Sequence, residues 1–293
     1  MLIFLQSLVG YVIMYTVGRK HRAKYVINRE LREYILDNIT NKLSNTYKIN
    51  SFVAMFLKDI YQFAGVSKMV QNDKRIRIIT GHYGSGKTEF AVNYAIKLRE
   101  VFPKVALSDL DIVNVYFRSR ERREELENLG IQVIASSIEG DSADLPAVSA
   151  AITTPVRDTS CQYVIDLGGN DVGTMVLGRL KPLLKPEETD FFMVVNVYRP
   201  GTSTVEDIIA QMQSLERSSG LKITGLINNT NLIRETTVAT LQEGDVVLKK
   251  VSEVTGVPIK YVSYINELIK ETLPASINGE MFPLKFYMRK EWM

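Results

Sequence analysis

Gly81-His-Tyr-Gly-Ser-Gly86-Lys87-Thr88 fits the pattern G-x-x-x-x-G-K-[ST] and constrains this chain more than any other stretch of it. At average glycine usage the pattern arises by chance in about one chain in a hundred of this length. Its surroundings decide against chance. Arg75–Thr80 (RIRIIT) reads as a short strand running into the glycines. Phe90, Ala91, Tyr94, Ala95 and Leu98 then recur at helical spacing. A glycine-rich turn between a strand and a helix aims several backbone N–H groups, and the positive end of the helix, at one point. A phosphate belongs there, with Lys87 reaching its outer oxygens and the Thr88 hydroxyl available to Mg²⁺.

The same alternation continues downstream. Strand candidates are Val105–Ser108, Gln132–Ala135, Tyr163–Asp166, Phe191–Val197, Ile223–Asn228 and Ile259–Val262. Helical stretches fall at Ser119–Leu129, Ala143–Thr153, Val172–Leu184, Thr204–Ser218, Gly244–Thr255 and Asn266–Leu273. Strands joined by helices imply right-handed crossovers and a mostly parallel sheet covered on both faces. The apolar run FFMVVNV suits a strand buried on both faces. The expected class is therefore α/β, a mostly parallel sheet with helices on both faces, preceded by a helical N-terminal segment.

Composition narrows the chemistry. A single cysteine, Cys161, excludes an internal disulfide and a four-thiolate metal site, and the two histidines, His21 and His82, make a histidine-rich one improbable. Such cysteine usage suits a reduced, cytoplasmic setting. Residues 1–74 carry 11 Lys/Arg against 5 Asp/Glu, so the formal charge of +3 belongs to the N-terminal segment and the remainder is mildly acidic. That remainder is a poor surface for nucleic acid. Residues 1–18 contain no charge and precede the basic cluster Arg19, Lys20, His21, Arg22 and Lys24. The run is near the lower length limit for a membrane helix, and the basic flank would leave the rest of the chain on the cytoplasmic face. A buried N-terminal helix explains it as well. The resulting layout is 1–18 as candidate membrane helix, 19–72 as a basic helical appendage, 73–275 as the nucleotide-binding domain and 276–293 as an aromatic, basic tail.

Two later strands end in acids: Asp109 and Asp111 in VALSDLD, and Asp166 before Gly168 and Gly169 in YVIDLGG. In an open parallel sheet ligands sit beyond the carboxyl ends of the strands, so these carboxylates face the same crevice as the glycine-rich turn. Asp166 is the candidate second anchor for Mg²⁺ beside Thr88. Each acid taken singly is equally a turn former or a helix cap.

Together GHYGSGKTEFAVNYA, LSDLDIVNVYFRSRE, VIDLGGNDVG and GLINNTN resemble the MinD/ParA-like branch of P-loop ATPases, over roughly residues 75–273. The resemblance implies ATP and Mg²⁺ as ligands. It places Gly81, His82, Tyr83, Gly84, Ser85, Gly86, Lys87, Thr88 and Glu89 around the phosphates. It gives Asp111 the role of positioning the attacking water, with Asp109 in support. Asp166 would act through the metal, the Gly168 backbone would sense the γ-phosphate, and Asn229 would contact the purine base. A protein partner and a homodimer are also implied. One departure is plain: the extra lysine usual early in the loop of that branch is His82 here, followed by Tyr83 in place of glycine. A neutral imidazole does not supply the constant charge of lysine.

Three functions are compatible with these residues. The first is a Mg²⁺-dependent ATPase acting as a nucleotide-driven switch or maturation factor. The second is a transferase passing the γ-phosphoryl of ATP to a small acceptor, and the third is a nucleotide-binding module that barely hydrolyses. Tyr116-Phe-Arg-Ser-Arg120 is a candidate switch loop or a solvated helix start, and Arg199-Pro-Gly-Thr202 a candidate approach to base or partner or a helix cap.

Overall fold

The computed structural model describes residues 70–111, 122–135, 150–170, 177–178, 180–269 and 273–288. The candidate anchor 1–18, most of the appendage and the Tyr116–Arg120 stretch lie outside them. Among the described residues no helix is long and apolar enough to cross a membrane.

Eight parallel strands form one sheet: β1 (Ile76–Thr80), β2 (Val105–Leu110), β3 (Ile131–Ala135), β4 (Gln162–Leu167), β5 (Thr189–Val195), β6 (Gly225–Asn228), β7 (Ile259–Ile265) and β8 (Glu280–Leu284). Their order across the sheet is β3-β2-β4-β1-β5-β6-β7-β8. Described helices are α1 (Lys87–Val101), α2 (Arg123–Asn128), α3 (Ala150–Arg157), α4 (Val205–Ser219) and α5 (Val238–Thr255). This is the α/β architecture, a parallel sheet with helices on both faces, expected from the alternating pattern.

Period-two alternation sorts the strands between two cores. Along β1, Ile76 and Ile78 join Ile152 and Val156 of α3 and Ile208, Met212 and Leu215 of α4 on one face. Ile79 turns to the other face, against Phe90, Ala91, Tyr94 and Leu98 of α1. All the helix-spaced residues of α1 are buried, and so is Cys161, a core residue. Each large apolar side chain among these contributes about 1.5–3 kcal/mol through burial, so two-sided coverage makes β1 the rigid centre from which the glycine turn emerges. Helices α4 and α5 start at Thr204 and Thr237, whose hydroxyls accept from the amides of Asp207 and Thr240, and they end at Gly220 and Gly256.

The eighth strand belongs to the segment read as a tail. It is short, contains Pro283 and lies at the sheet edge, where a missing N–H is tolerated. Phe282 holds it in place, with its ring 4.8 Å from Phe90 and nearly parallel to Tyr94 at 5.7 Å. The helix expected over Asn266–Leu273 is a turn at its described start, leading from β7 toward β8. Below this aromatic cluster the buried Asp73 carboxylate accepts from the hydroxyls of Tyr94 and Tyr261 and pairs with Lys260 at 2.7 Å.

Candidate functional site: a phosphate loop facing three strand-end carboxylates

β1 lies between β4 and β5, where chain order reverses, and the crevice beyond the strand ends at such a point is where ligands bind in open α/β sheets. The loop Gly81–Gly86 occupies it. Gly84 and Gly86 have φ of 76° and 87°, in the left-handed region that glycine tolerates. Gly86 is the N-cap of α1, and no side chain caps that helix. The N–H groups of a helix's first turn have no partner within the helix, which is what an anion site uses.

Register brings the acids together. Asp166 on β4 pairs with Ile79 of β1 on one side and with Asp109 of β2 on the other. Asp109 accepts from the amide of Asp111 at 3.1 Å and so shapes the turn that presents it. The Lys87 ammonium lies 2.7 Å from Asp111 Oδ2, with side chains only 5% and 4% exposed. Asp166 is fully buried. Burial pushes its carboxyl up to about 7; the Lys87 charge opposes the shift, Asp109 adds to it, the neighbouring Thr88 hydroxyl opposes it and Asp111 adds to it. Asp109, Asp111 and Asp166 outnumber Lys87, so the ionised cluster carries an excess of negative charge that a divalent cation would balance.

Several polar atoms here are left unsatisfied by the described residues. Among the described residues Thr88 Oγ1, both carboxylate oxygens of Asp166 and Ser85 Oγ are buried without a well-formed hydrogen bond, Thr88 and Asp166 having only each other as a nearby partner. Such orphans are costly, typically about 1–3 kcal/mol each, unless something else satisfies them. Among the described residues no three His, Cys, Asp or Glu side chains form a ready cation cage. Mg²⁺ does not need one, because it is commonly held by one or two protein oxygens together with phosphate oxygens and water. The residues therefore fit Mg²⁺ arriving with a nucleotide, at Thr88 and through Asp166.

The glycines after Asp166 meet the loop directly. The Thr80 hydroxyl donates to Gly168 O at 3.5 Å. A Cβ on Gly169 would come within 1.8 Å of Gly81 O, so only glycine permits this approach. Gln211 of α4 donates to Gly169 O at 2.8 Å. Gly168 and Gly169 thus lie against the Gly81–Gly86 loop; the resemblance implies a γ-phosphate sensor at Gly168.

Asn229 lies beneath the loop. Its Nδ2 donates to Ser85 O at 2.6 Å and its Oδ1 accepts from the Ser263 hydroxyl at 2.8 Å. Gly86 has no Cβ to collide with that amide, since one would come within 2.3 Å of Asn229 Nδ2. The base contact implied by resemblance involves a side chain that here clamps the loop.

A cleft of about 480 Å³ opens above, within the usual size of small-ligand sites. His82, Tyr83, Gly84, Gly86, Lys87, Thr88 and Glu89 line it, all of them singled out from the sequence. Tyr83 is 64% exposed and the His82 ring contacts the Tyr83 carbonyl oxygen at 3.2 Å. Glu89 plays another part: its carboxylate accepts from the backbone N–H of Tyr287 at 2.6 Å and of Met288 at 3.2 Å. Asn93, one turn on, exchanges hydrogen bonds of 2.8 and 2.9 Å with the Lys285 backbone. The segment after β8 is thereby strapped across the start of α1, and Met288 forms part of the cleft wall. Arg199 and Pro200 form another part. Met288 had no signal in the sequence beyond its place in an aromatic tail. Arg199 was visible only as one residue of a loop that a helix cap explained equally well.

No protein-family model matches the chain, and no curated protein does. Solved structures with similar folds include the signal recognition particle receptor FtsY from Elizabethkingia anophelis, at 18% identity and a TM-score of 0.41, covering 80% of this chain and 74% of that one. FtsY from Mycoplasma mycoides shows 15% identity and a TM-score of 0.43, covering 86% of each chain. A nucleotide-binding protein in complex with ADP from Archaeoglobus fulgidus shows 16% identity and a TM-score of 0.32, covering 56% of this chain and 70% of that one. None of these singles out the MinD/ParA-like branch, and at these scores no function is carried over from them.

Proposed function

We propose that this chain binds a nucleoside triphosphate with Mg²⁺ and acts as a nucleotide-driven switch, hydrolysing the γ-phosphate slowly. ATP is the nucleotide that the MinD/ParA-like resemblance implies. One observation supports the reading: beneath a glycine-bordered helix start without a side-chain cap, the Thr88 hydroxyl and the Asp166 carboxylate lie buried beside each other, and among the described residues no other group satisfies them. A merely structural loop would not leave those groups unsatisfied.

The chemistry follows from the residues. The loop amides and Lys87 hold the β- and γ-phosphates, which requires the ammonium to exchange Asp111 for phosphate oxygens. Asp111, released from that pair, is then placed to accept a hydrogen bond from an attacking water. Thr88 and Asp166 are the residues that would hold Mg²⁺, which when bound supplies charge neutralisation on the phosphates. Gly168 and Gly169, packed on Gly81, rearrange with the γ-phosphate, and Gln211 passes that rearrangement to α4. A protein partner reading α4, and a membrane-side location through residues 1–18, complete the proposal.

Phosphate release by the full-length protein, measured with ATP and with GTP in the presence and absence of Mg²⁺, tests it. Slow, Mg²⁺-dependent release without any acceptor is expected. Release that requires a small-molecule acceptor would point to the transferase instead.

A further inference from the structure

The charge at the cleft is incomplete without a second cation. Mg²⁺ leaves a triphosphate with net negative charge, and once Lys87 has exchanged Asp111 for phosphate oxygens only its single ammonium faces that charge. The other side chain of fixed positive charge lining the cleft is Arg199. It comes from the turn after β5, and its Nε donates to Gly84 O at 3.1 Å, on the phosphate loop itself. Among the described residues nothing accepts from its two terminal nitrogens. A guanidinium anchored through Nε presents those nitrogens as a fork matched to phosphate oxygens.

The turn that carries Arg199 is braced. The Arg199 amide donates to Asn196 O at 3.1 Å, and the Thr202 amide and hydroxyl donate back to Arg199 O and Asn196 O at 3.1 and 3.0 Å. Gly201, with φ of 81°, packs so close that a Cβ would lie 3.0 Å from His82 Nε2. The turn therefore touches the loop at Gly84 and at His82, and it leads directly into α4. Pro200 and Gly201 allow it to lie flat on the loop.

We propose that Arg199 is a phosphate-binding residue supplied by the same chain, gripping the terminal phosphate of a bound triphosphate and thereby tying the 198–202 turn to nucleotide state. The inference rests on the phosphate-loop reading of Gly81–Thr88 and adds to it a specificity determinant for tri- over diphosphate. Lys87 and the loop amides serve both nucleotides, whereas Arg199 serves the one that extends past Gly84.

The test uses the full-length protein with Mg²⁺, titrated by calorimetry with ADP, GDP and their non-hydrolysable β,γ-imido triphosphate counterparts. For the purine that the wild type binds, Arg199→Gln weakens triphosphate binding by about tenfold or more and diphosphate binding by less than about threefold, the loss of one charge-assisted contact. An equal loss for both nucleotides, or none for either, overturns the inference while leaving the phosphate site standing. A wild type that binds neither overturns both. A second measurement avoids the variant: hydrogen exchange at the Arg199 and Thr202 amides of the wild type slows with the triphosphate analogue and not with the diphosphate. Identical protection in the two complexes contradicts the proposal.

Discussion

Lys87 and Asp111 form a buried ion pair, ammonium to carboxylate 2.7 Å, across the floor of the crevice that the phosphate loop covers. On the proposed function the pair joins the group that would hold phosphate to the group that would handle water, so each would keep the other from its task until a nucleotide separated them.

Asp111→Asn removes the competitor for the Lys87 ammonium. Triphosphate affinity should equal or exceed that of the wild type, while turnover falls by about a hundredfold or more, as expected for a group acting in the transition state. Parallel titration and phosphate-release measurements check this. A parallel loss of binding would make Asp111 a structural or metal-holding residue.

Lys87→Ala strands Asp111 in a buried site and removes the charge facing the phosphates. Breaking one side of a buried pair typically costs about 3–5 kcal/mol, so the nucleotide-free protein should unfold at distinctly lower denaturant. Equilibrium denaturation reads that cost, and Lys87→Met separates it from charge by restoring most of the packing.

Asp166 predicts a pH dependence with a definite sign. Its carboxyl is pushed up to about 7 by burial, so the folded protein holds a proton that the unfolded chain has released. Between the ordinary carboxylate range and about pH 7, stability without metal should therefore fall as pH rises, by on the order of a few kcal/mol at most. Asp166→Asn should remove this slope, exceed the wild type in stability above pH 7 in EDTA, and lose the Mg²⁺ dependence of nucleotide binding. Denaturation curves across pH test the first two outcomes and titrations with and without Mg²⁺ the third.

Gly169→Ala should be severe and Gly178→Ala mild. The first forces a Cβ to within 1.8 Å of Gly81 O, whereas the second meets nothing within 4 Å among the described residues. Backbone displacement at Gly81 should cost about 1–3 kcal/mol and impair nucleotide binding together. Thermal melts with and without nucleotide distinguish the two variants.

Ser263→Ala tests the clamp under the loop. The Ser263 hydroxyl orients the amide of Asn229, which in turn donates to Ser85 O. Losing it should weaken ATP and GTP binding alike, by several-fold, because the loop and not the base is affected. A change confined to one purine would instead assign Asn229 to base recognition.

How much of this was legible in the sequence depended on range. Strand, turn and helix around Lys87 were local, and so were the strand-end positions of Asp109, Asp111 and Asp166; alternation alone placed them at one end of a parallel sheet. What the sequence left open was pairing at long range. Asn229 sits 144 positions from the Ser85 carbonyl it clamps, and Met288 199 from the Glu89 carboxylate that holds its backbone. The loop of Arg199 read equally as an approach to base or partner and as a helix cap, because capping is local while the approach of Arg199 to Gly84 depends on β1 and β5 being adjacent. The edge strand Glu280–Leu284 was hidden by its proline and its brevity.

The most direct measurement of the central claim is a calorimetric titration of full-length wild type and Lys87→Ala with a non-hydrolysable triphosphate and Mg²⁺. Saturable one-to-one binding by the wild type, reduced by about a hundredfold or more in the variant, is the predicted result. Equal affinity in the two proteins, or none in the wild type, would contradict the assignment of Gly81–Thr88 as a nucleotide-binding loop.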